Sequence, residues 1–333
     1  MAPGHSMTGP RARQRRCGAV EQTAPEGERW RAQDILAAMP TELPDTRSAA
    51  AAAATKAPAD RGSPVGTQVR IGIVHYLNSW PLAWSFLRGD APGWATPVYL
   101  PPAAVADGLA DGTLDVGLVP SAELQRIPGL AVVPGLCIAS QHEVKSVLLV
   151  SKVPTDRIRR VALDESSRTS AVLVQLLLAE RFGVRPEVAP FRPDLAAMLA
   201  TADAALLIGD PALRVDRTGL FVVDLAAEWR ALTGLPFVFA VWAVAPAAAT
   251  AAGASRLPVL LAGSLAAAEG DLDRLVATAA DQLGIDAAEV RTYLTEHLSY
   301  RLGAPERASL EEFFRRAHAH GLLPAPRPLR YVG

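Results

Sequence analysis

Cysteine is scarce in this 333-residue chain. Cys17 and Cys137 stand far apart in regions of different character, too little for a disulfide framework and in keeping with a reducing compartment. Lysine is confined to Lys56, Lys145 and Lys152, and arginine carries nearly all the positive charge. The 33 Lys and Arg nearly balance 34 Asp and Glu, with no basic stripe interleaved with aromatics, so nucleic acid is not an expected partner and a small molecule is. No apolar run reaches the about 20 residues needed to span a bilayer, and the first residues lack the apolar core of an export signal. Cys17 follows Arg-Gln-Arg-Arg rather than a small apolar box, which argues against lipidation. A cytoplasmic protein without membrane contact is expected. Also lacking are a glycine-rich dinucleotide loop after the first strand, a phosphate-binding loop with its lysine, and a nucleophile elbow. His75 and His142 have no partner at metal-ligand spacing. These absences remove the common cofactor enzymes, and neither a cofactor nor a metal is expected.

What is present is an apolar half of the composition, enough for a substantial core in one large domain or two ordinary ones. Residues 1–68 are rich in Ala, Pro, Arg, Gly and Thr and read as a disordered extension. From Val69 the pattern changes to short apolar runs alternating with amphipathic segments, the mark of an α/β protein. RIGIV (70–74) predicts a buried strand, and Asn78 and Ser79 as caps with Pro81 in the first turn predict a helix directly after it. A second unit runs through VYL (98–100) and a Pro-started helix to Gly112, followed by the strand in DVGLVPS (115–121). Two long apolar strands, VKSVLLVSK (144–152) and PFVFAVWAV (236–244), bracket a middle set: VALD, a helix near 168–182, EVAPF, a helix near 194–200, and AALLIGD. After Leu257 the pattern predicts helices with no further strand. Two long strands around a middle unit imply two crossings between domains. The expected organisation is 69–146 with 240–333 as a discontinuous first domain and 147–239 as an inserted second one. That is the two-lobed layout of type II periplasmic-binding-protein folds, in which ligands sit in the cleft at the carboxyl ends of the strands.

The densest chemistry is Asp164-Glu165-Ser166-Ser167-Arg168-Thr169-Ser170, between a strand and a helix. A helix needs one capping hydroxyl, whereas several hydroxyls and an arginine at its positive end suit a carboxylate or phosphate. The plainer reading is redundant capping with Arg168 on the surface. In His75-Tyr76-Leu77-Asn78-Ser79-Trp80-Pro81, Asn78 is either an N-cap or a cleft amide able to donate to a carboxylate or developing oxyanion. Strand alternation allows Ser146 to face the interlobe space, with simple packing as the alternative. Ser121 and Asp210 are further strand-end positions, each serving as cap or ligand.

The chain from about 69 to 320 resembles the MqnA family of chorismate dehydratases in menaquinone biosynthesis. The resemblance rests on RIG with HYLNSWPL, DVGLVPSAE, VKSVLLVSKVP, SSRTS, LLIGDPAL and GLPFVFAVWA in that order. It departs from the family at His75 and in the N-terminal extension. It implies a two-lobed fold and conversion of chorismate to 3-[(1-carboxyvinyl)oxy]benzoate and water without a cofactor, in the futalosine pathway. Asn78 matches the family's catalytic asparagine and Ser146 its cleft serine. Ser167, Arg168, Thr169 and Ser170, with Ser166 beside them, match the substrate-holding segment. The proton acceptor stays open between the substrate's own enolpyruvyl carboxylate and His75 or His142. Two other readings share the architecture. A 1,4-dihydroxy-6-naphthoate synthase of the same pathway needs a histidine in the cleft, and an exported solute-binding protein needs no catalytic group.

Overall fold

A computed structural model describes residues 68–249 and 256–332, together with Met1. The expected N-terminal extension therefore lies, but for Met1 and Gln68, outside the described residues.

The strands and helices alternate as the composition pattern requires. In chain order they are β1 (Val69–Val74), α1 (Trp80–Leu87), β2 (Ala95–Leu100), α2 (Pro102–Asp111), β3 (Val116–Pro120), α3 (Glu123–Arg126), β4 (Ala131–Ser140), β5 (Val147–Ser151), β6 (Arg160–Asp164) and α4 (Thr169–Arg181). There follow β7 (Glu187–Phe191), α5 (Leu195–Thr201), β8 (Ala204–Ile208), α6 (Gly209–Arg214), β9 (Phe221–Asp224), α7 (Leu225–Thr233) and β10 (Phe237–Val244). The chain closes with α8 (Pro246–Ala249), α9 (Leu257–Gly270), α10 (Leu272–Leu283), α11 (Ala287–Thr292), β11 (Ser299–Leu302), α12 (Ala304–Ala319) and β12 (Arg330–Tyr331).

Two sheets make two lobes. The first has the order β11-β4-β10-β3-β1-β2, with β12 beside β4; the second has the order β7-β6-β8-β5-β9. β1 runs parallel to β2 and β3, and β6 runs parallel to β7 and β8, so the carboxyl ends of β1, β3 and β6 open onto loops that begin helices. The first sheet is covered closely: Val105 of α2 comes so near Gly72 and Gly117 that a side chain at either glycine would collide with it. α2 starts on Pro102 and stops at Gly112, whose φ of +78° ends the helix without the clash a side chain would meet there. On the other side Trp229, Phe237 and Phe313 pack edge to face.

Neither long apolar strand crosses between the lobes. β5 lies wholly in the second sheet and β10 wholly in the first. The crossings are the connector 141–146 and the stretch from α7 to Pro236. Asp224 ties both: its carboxylate caps α7 through the N–H groups of Ala226 and Ala227, and also accepts from the N–H groups of Val144 (2.9 Å) and Lys145 (2.8 Å). Lys145 is held there at φ +63°, a conformation unusual for a residue with a side chain. The expectation of no strand beyond Leu257 fails at β11, which pairs antiparallel with β4, and β12 adds a short parallel pairing nearer the C-terminus. Each is too short to show a period in the sequence. Among the described residues no helix is long and apolar enough to cross a membrane.

Candidate active site

Where the strand ends of the two lobes face each other lies a hollow, partly open to solvent. Its apolar floor includes Leu118, Ile138, Val147, Ile208 and Phe239. Asn78 and Tyr76 stand on the first lobe's wall, and Ser167, Arg168, Thr169 and Ser170 on the second's.

The first wall is the turn after β1. Ser79, expected as a cap, directs its hydroxyl backwards to the carbonyls of Val74 and Tyr76, and α1 begins without a side-chain cap. Asn78 is not a cap either: its Oδ1 is buried without a hydrogen-bond partner in the protein. The amide nitrogen of the same side chain is the group able to donate to an anion in the hollow that Asn78 lines. Leu77 donates its N–H to Asp210 Oδ1 (3.0 Å) in the other lobe, holding the turn in place.

The second wall is the turn after β6. Ser166 folds inward, giving its hydroxyl to Asp164 Oδ1 (2.6 Å), while α4 begins at Thr169 with no side-chain cap. The helix therefore presents free N–H groups and its positive end to the hollow, an arrangement that attracts anions. Thr169 Oγ1 also accepts the N–H of Ala122 across the cleft (3.1 Å). Arg168 reaches over the rim to Asp107 on α2 (3.0 Å), each half open to water.

Not every expected residue reaches the hollow. Ser121 is fully buried behind the wall, donating to the carbonyl of Val238 (2.8 Å) and lying 3.4 Å from Thr169 Oγ1. Ser146 precedes β5 instead of alternating within it; it is fully buried and accepts the hydroxyl of Tyr293 (2.7 Å). Its carbonyl accepts the N–H of Gly209, so it braces the wall from behind. Ser166 and Asp210 likewise act one layer back, and burial pushes the Asp210 carboxyl up to about 6. Neither histidine lines the hollow. His75 lies beside it with Nδ1 buried and unpaired, its pKa lowered by burial, and His142 is exposed in the connector. Among the described residues no three His, Cys, Asp or Glu gather as a metal site. Cys137 is buried, which pushes its thiol up, and Cys17 lies outside the described residues.

Tyr76 and Gly209 escaped the sequence reading although both stand in its quoted segments. Gly209 has φ +63°, and a Cβ there would come within 2.6 Å of the Tyr76 ring. Glycine at that position is what lets a tyrosine of one lobe lie against the backbone of the other.

Comparison with known proteins places this arrangement. The family described as menaquinone biosynthesis (VitK2_biosynth) matches residues 69–319. A chorismate dehydratase from Thermus thermophilus is 31% identical over 278 residues, covering 77% of this chain and 96% of the relative. The chain belongs to the menaquinone-biosynthesis family. Its fold is that of periplasmic binding proteins: protein AF1704 of Archaeoglobus fulgidus superposes with a TM-score of 0.64 at 15% identity, covering 77% of this chain and 98% of that one. The periplasmic aliphatic sulphonate binding protein SsuA of Escherichia coli does so at 0.54 and 19% identity, covering 81% and 95%. Such identities speak for the architecture alone. This chain thus sets on a binding-protein frame a hollow with Asn78 on one wall and a helix start on the other.

Proposed function

We propose that this member of the menaquinone-biosynthesis family is a chorismate dehydratase, converting chorismate to 3-[(1-carboxyvinyl)oxy]benzoate and water. The supporting observation is that Asn78, whose Nδ2 can donate, and the uncapped start of α4 line one hollow from opposite walls. Chorismate carries two carboxylates. The N–H groups of α4, with the hydroxyls of Ser167 and Ser170 and the Arg168 guanidinium, suit one of them. Asn78 suits the other, or the charge that develops on it.

The reaction requires loss of the proton on the ring carbon that bears the ether, then loss of the neighbouring hydroxyl. The first step is eased by conjugation through the ring double bond to the ring carboxylate, onto which negative charge spreads. A preplaced amide donor at that charge is worth roughly 3–4 kcal/mol of barrier. With His75 and His142 both off the wall, the substrate's enolpyruvyl carboxylate takes the proton in this proposal. Departure of the hydroxyl then leaves an aromatic ring. The placement of the histidines also speaks against the naphthoate-synthase reading, which needs an imidazole in the hollow. The N-terminal segment aside, we take 69–146 with 237–332 as one lobe and 147–236 as the other, because β10 belongs to the first sheet from Phe237 onward. The cytoplasm is the proposed site of action.

Purified protein incubated with chorismate, followed by absorbance and mass, is expected to accumulate the aromatic enol ether. A solute-binding protein would retain chorismate unchanged, and that outcome would end this reading.

A further inference from the structure

Tyr76, Ser166 and Asp164 form a buried file running from the hollow into the second lobe. Tyr76 lines the hollow, its hydroxyl lies 3.2 Å from Ser166 Oγ, and Ser166 Oγ lies 2.6 Å from Asp164 Oδ1. The direction of these bonds follows from proton inventory. Asp164 Oδ1 already accepts the Ser166 N–H (2.9 Å), so it is an acceptor, and a proton on this carboxyl would sit on Oδ2. The single Ser166 hydroxyl proton therefore goes to Asp164. Ser166 Oγ can then only accept, and Tyr76 must donate to it. Its proton being committed, the Tyr76 hydroxyl has only lone pairs to offer a ligand in the hollow that Tyr76 lines. The orientation does not depend on the ionisation of Asp164, whose carboxyl burial pushes upward. Gly209 fixes the ring from the other side, where a Cβ would touch three of its carbons.

We propose that Tyr76 accepts a hydrogen bond from the ring hydroxyl of the substrate, and that Asp164, acting through Ser166, is the positioning residue that keeps Tyr76 an acceptor. This rests on the chorismate reading and deepens it. A lone pair held in a buried wall selects for a ligand with an O–H at that place and gains nothing from one without it. The dehydrated product has lost that hydroxyl. The device thus favours substrate over product in the same hollow.

The test compares turnover of chorismate with inhibition by the aromatic product in wild type, Tyr76→Phe, Asp164→Ala and the double variant. Tyr76→Phe is expected to lower kcat/KM roughly 10- to 100-fold, the range for losing a buried hydrogen bond, while the product inhibition constant stays within about twofold. Asp164→Ala removes the acceptor that orients the Ser166 hydroxyl; it is expected to produce part of that loss and to add less than about twofold on top of Tyr76→Phe, because it acts through the same hydroxyl. Should Asp164→Ala not fold, Ser166→Ala takes its place in the same cycle. Equal weakening of substrate and product, unchanged turnover in Tyr76→Phe, or losses that multiply in the double variant would each overturn the proposal. Wild-type protein inert toward chorismate would instead defeat the dehydratase reading itself.

Discussion

The turn after β1 and the turn after β6 are built alike, a parallel strand ending in a short serine-bearing loop that starts a helix beside the same hollow. In the first, Ser79 turns inward to its own backbone, and Asn78 lines the hollow without serving as a cap. In the second, Ser166 turns inward to Asp164, and what faces the hollow is the uncapped start of α4 with Ser167 to Ser170 around it. One wall offers a single directed amide, the other a diffuse positive field made of backbone. A directed group is lost whole with one side chain, whereas a field built from N–H groups survives any one substitution.

That contrast breaks most sharply at Asn78. Asn78→Ala is expected to lower kcat about 100- to 1,000-fold without lowering the melting temperature, and near-normal turnover on chorismate would put the charge stabilisation elsewhere. Gly209→Ala adds a Cβ at φ +63° against the Tyr76 ring. It should destabilise the fold by about 2–5 kcal/mol in urea unfolding and raise KM. Asp210 sharpens the comparison through pH. Its carboxyl has a higher pKa folded, about 6, than its ordinary 3.8. The stability it contributes is therefore full below pH 3.8 and lost as pH rises through 6. Asp210→Asn still accepts from Leu77 and carries no charge. It is expected to gain on the order of 2–3 kcal/mol over wild type at pH 7, the difference vanishing by pH 4 in denaturation curves. Ser167→Ala, on the diffuse wall, should cost only about 1 kcal/mol of transition-state stabilisation, near fivefold in kcat/KM, and a loss as large as that of Asn78→Ala would erase the distinction between the walls. Asp107→Ala removes a rim ion pair and should change stability by at most about 1 kcal/mol.

Much of this frame was legible in the sequence, because strand, loop and helix start are local events. VALD followed by hydroxyls and a helical period puts those hydroxyls at a helix start in any α/β protein, and RIGIV followed by Asn78 and Pro81 does the same. What escaped was set by partners distant in the chain. Ser146 was expected to alternate within a strand, but the strand begins at Val147, Lys145 at positive φ breaks the alternation, and Tyr293 takes the serine. Ser166 and Ser167 are chemically equal neighbours, and only the position of Asp164 decides which turns inward. Gly209 reads as an ordinary strand-end glycine until the Tyr76 ring from the other lobe lies against it. β11 exists because β4 offers an edge, not because SYRL has a period of its own.

α12 of the first lobe grips the second through Ser309, which accepts the indole N–H of Trp229, and through Arg316 and His320, which share Glu180. This buttress holds one flank of the interlobe contact, while Asp107 and Arg168 tie the lobes at the open rim. Since that tie is wetted, dissolved ions weaken it by screening. Salt therefore loosens the open rim more than the half-buried buttress.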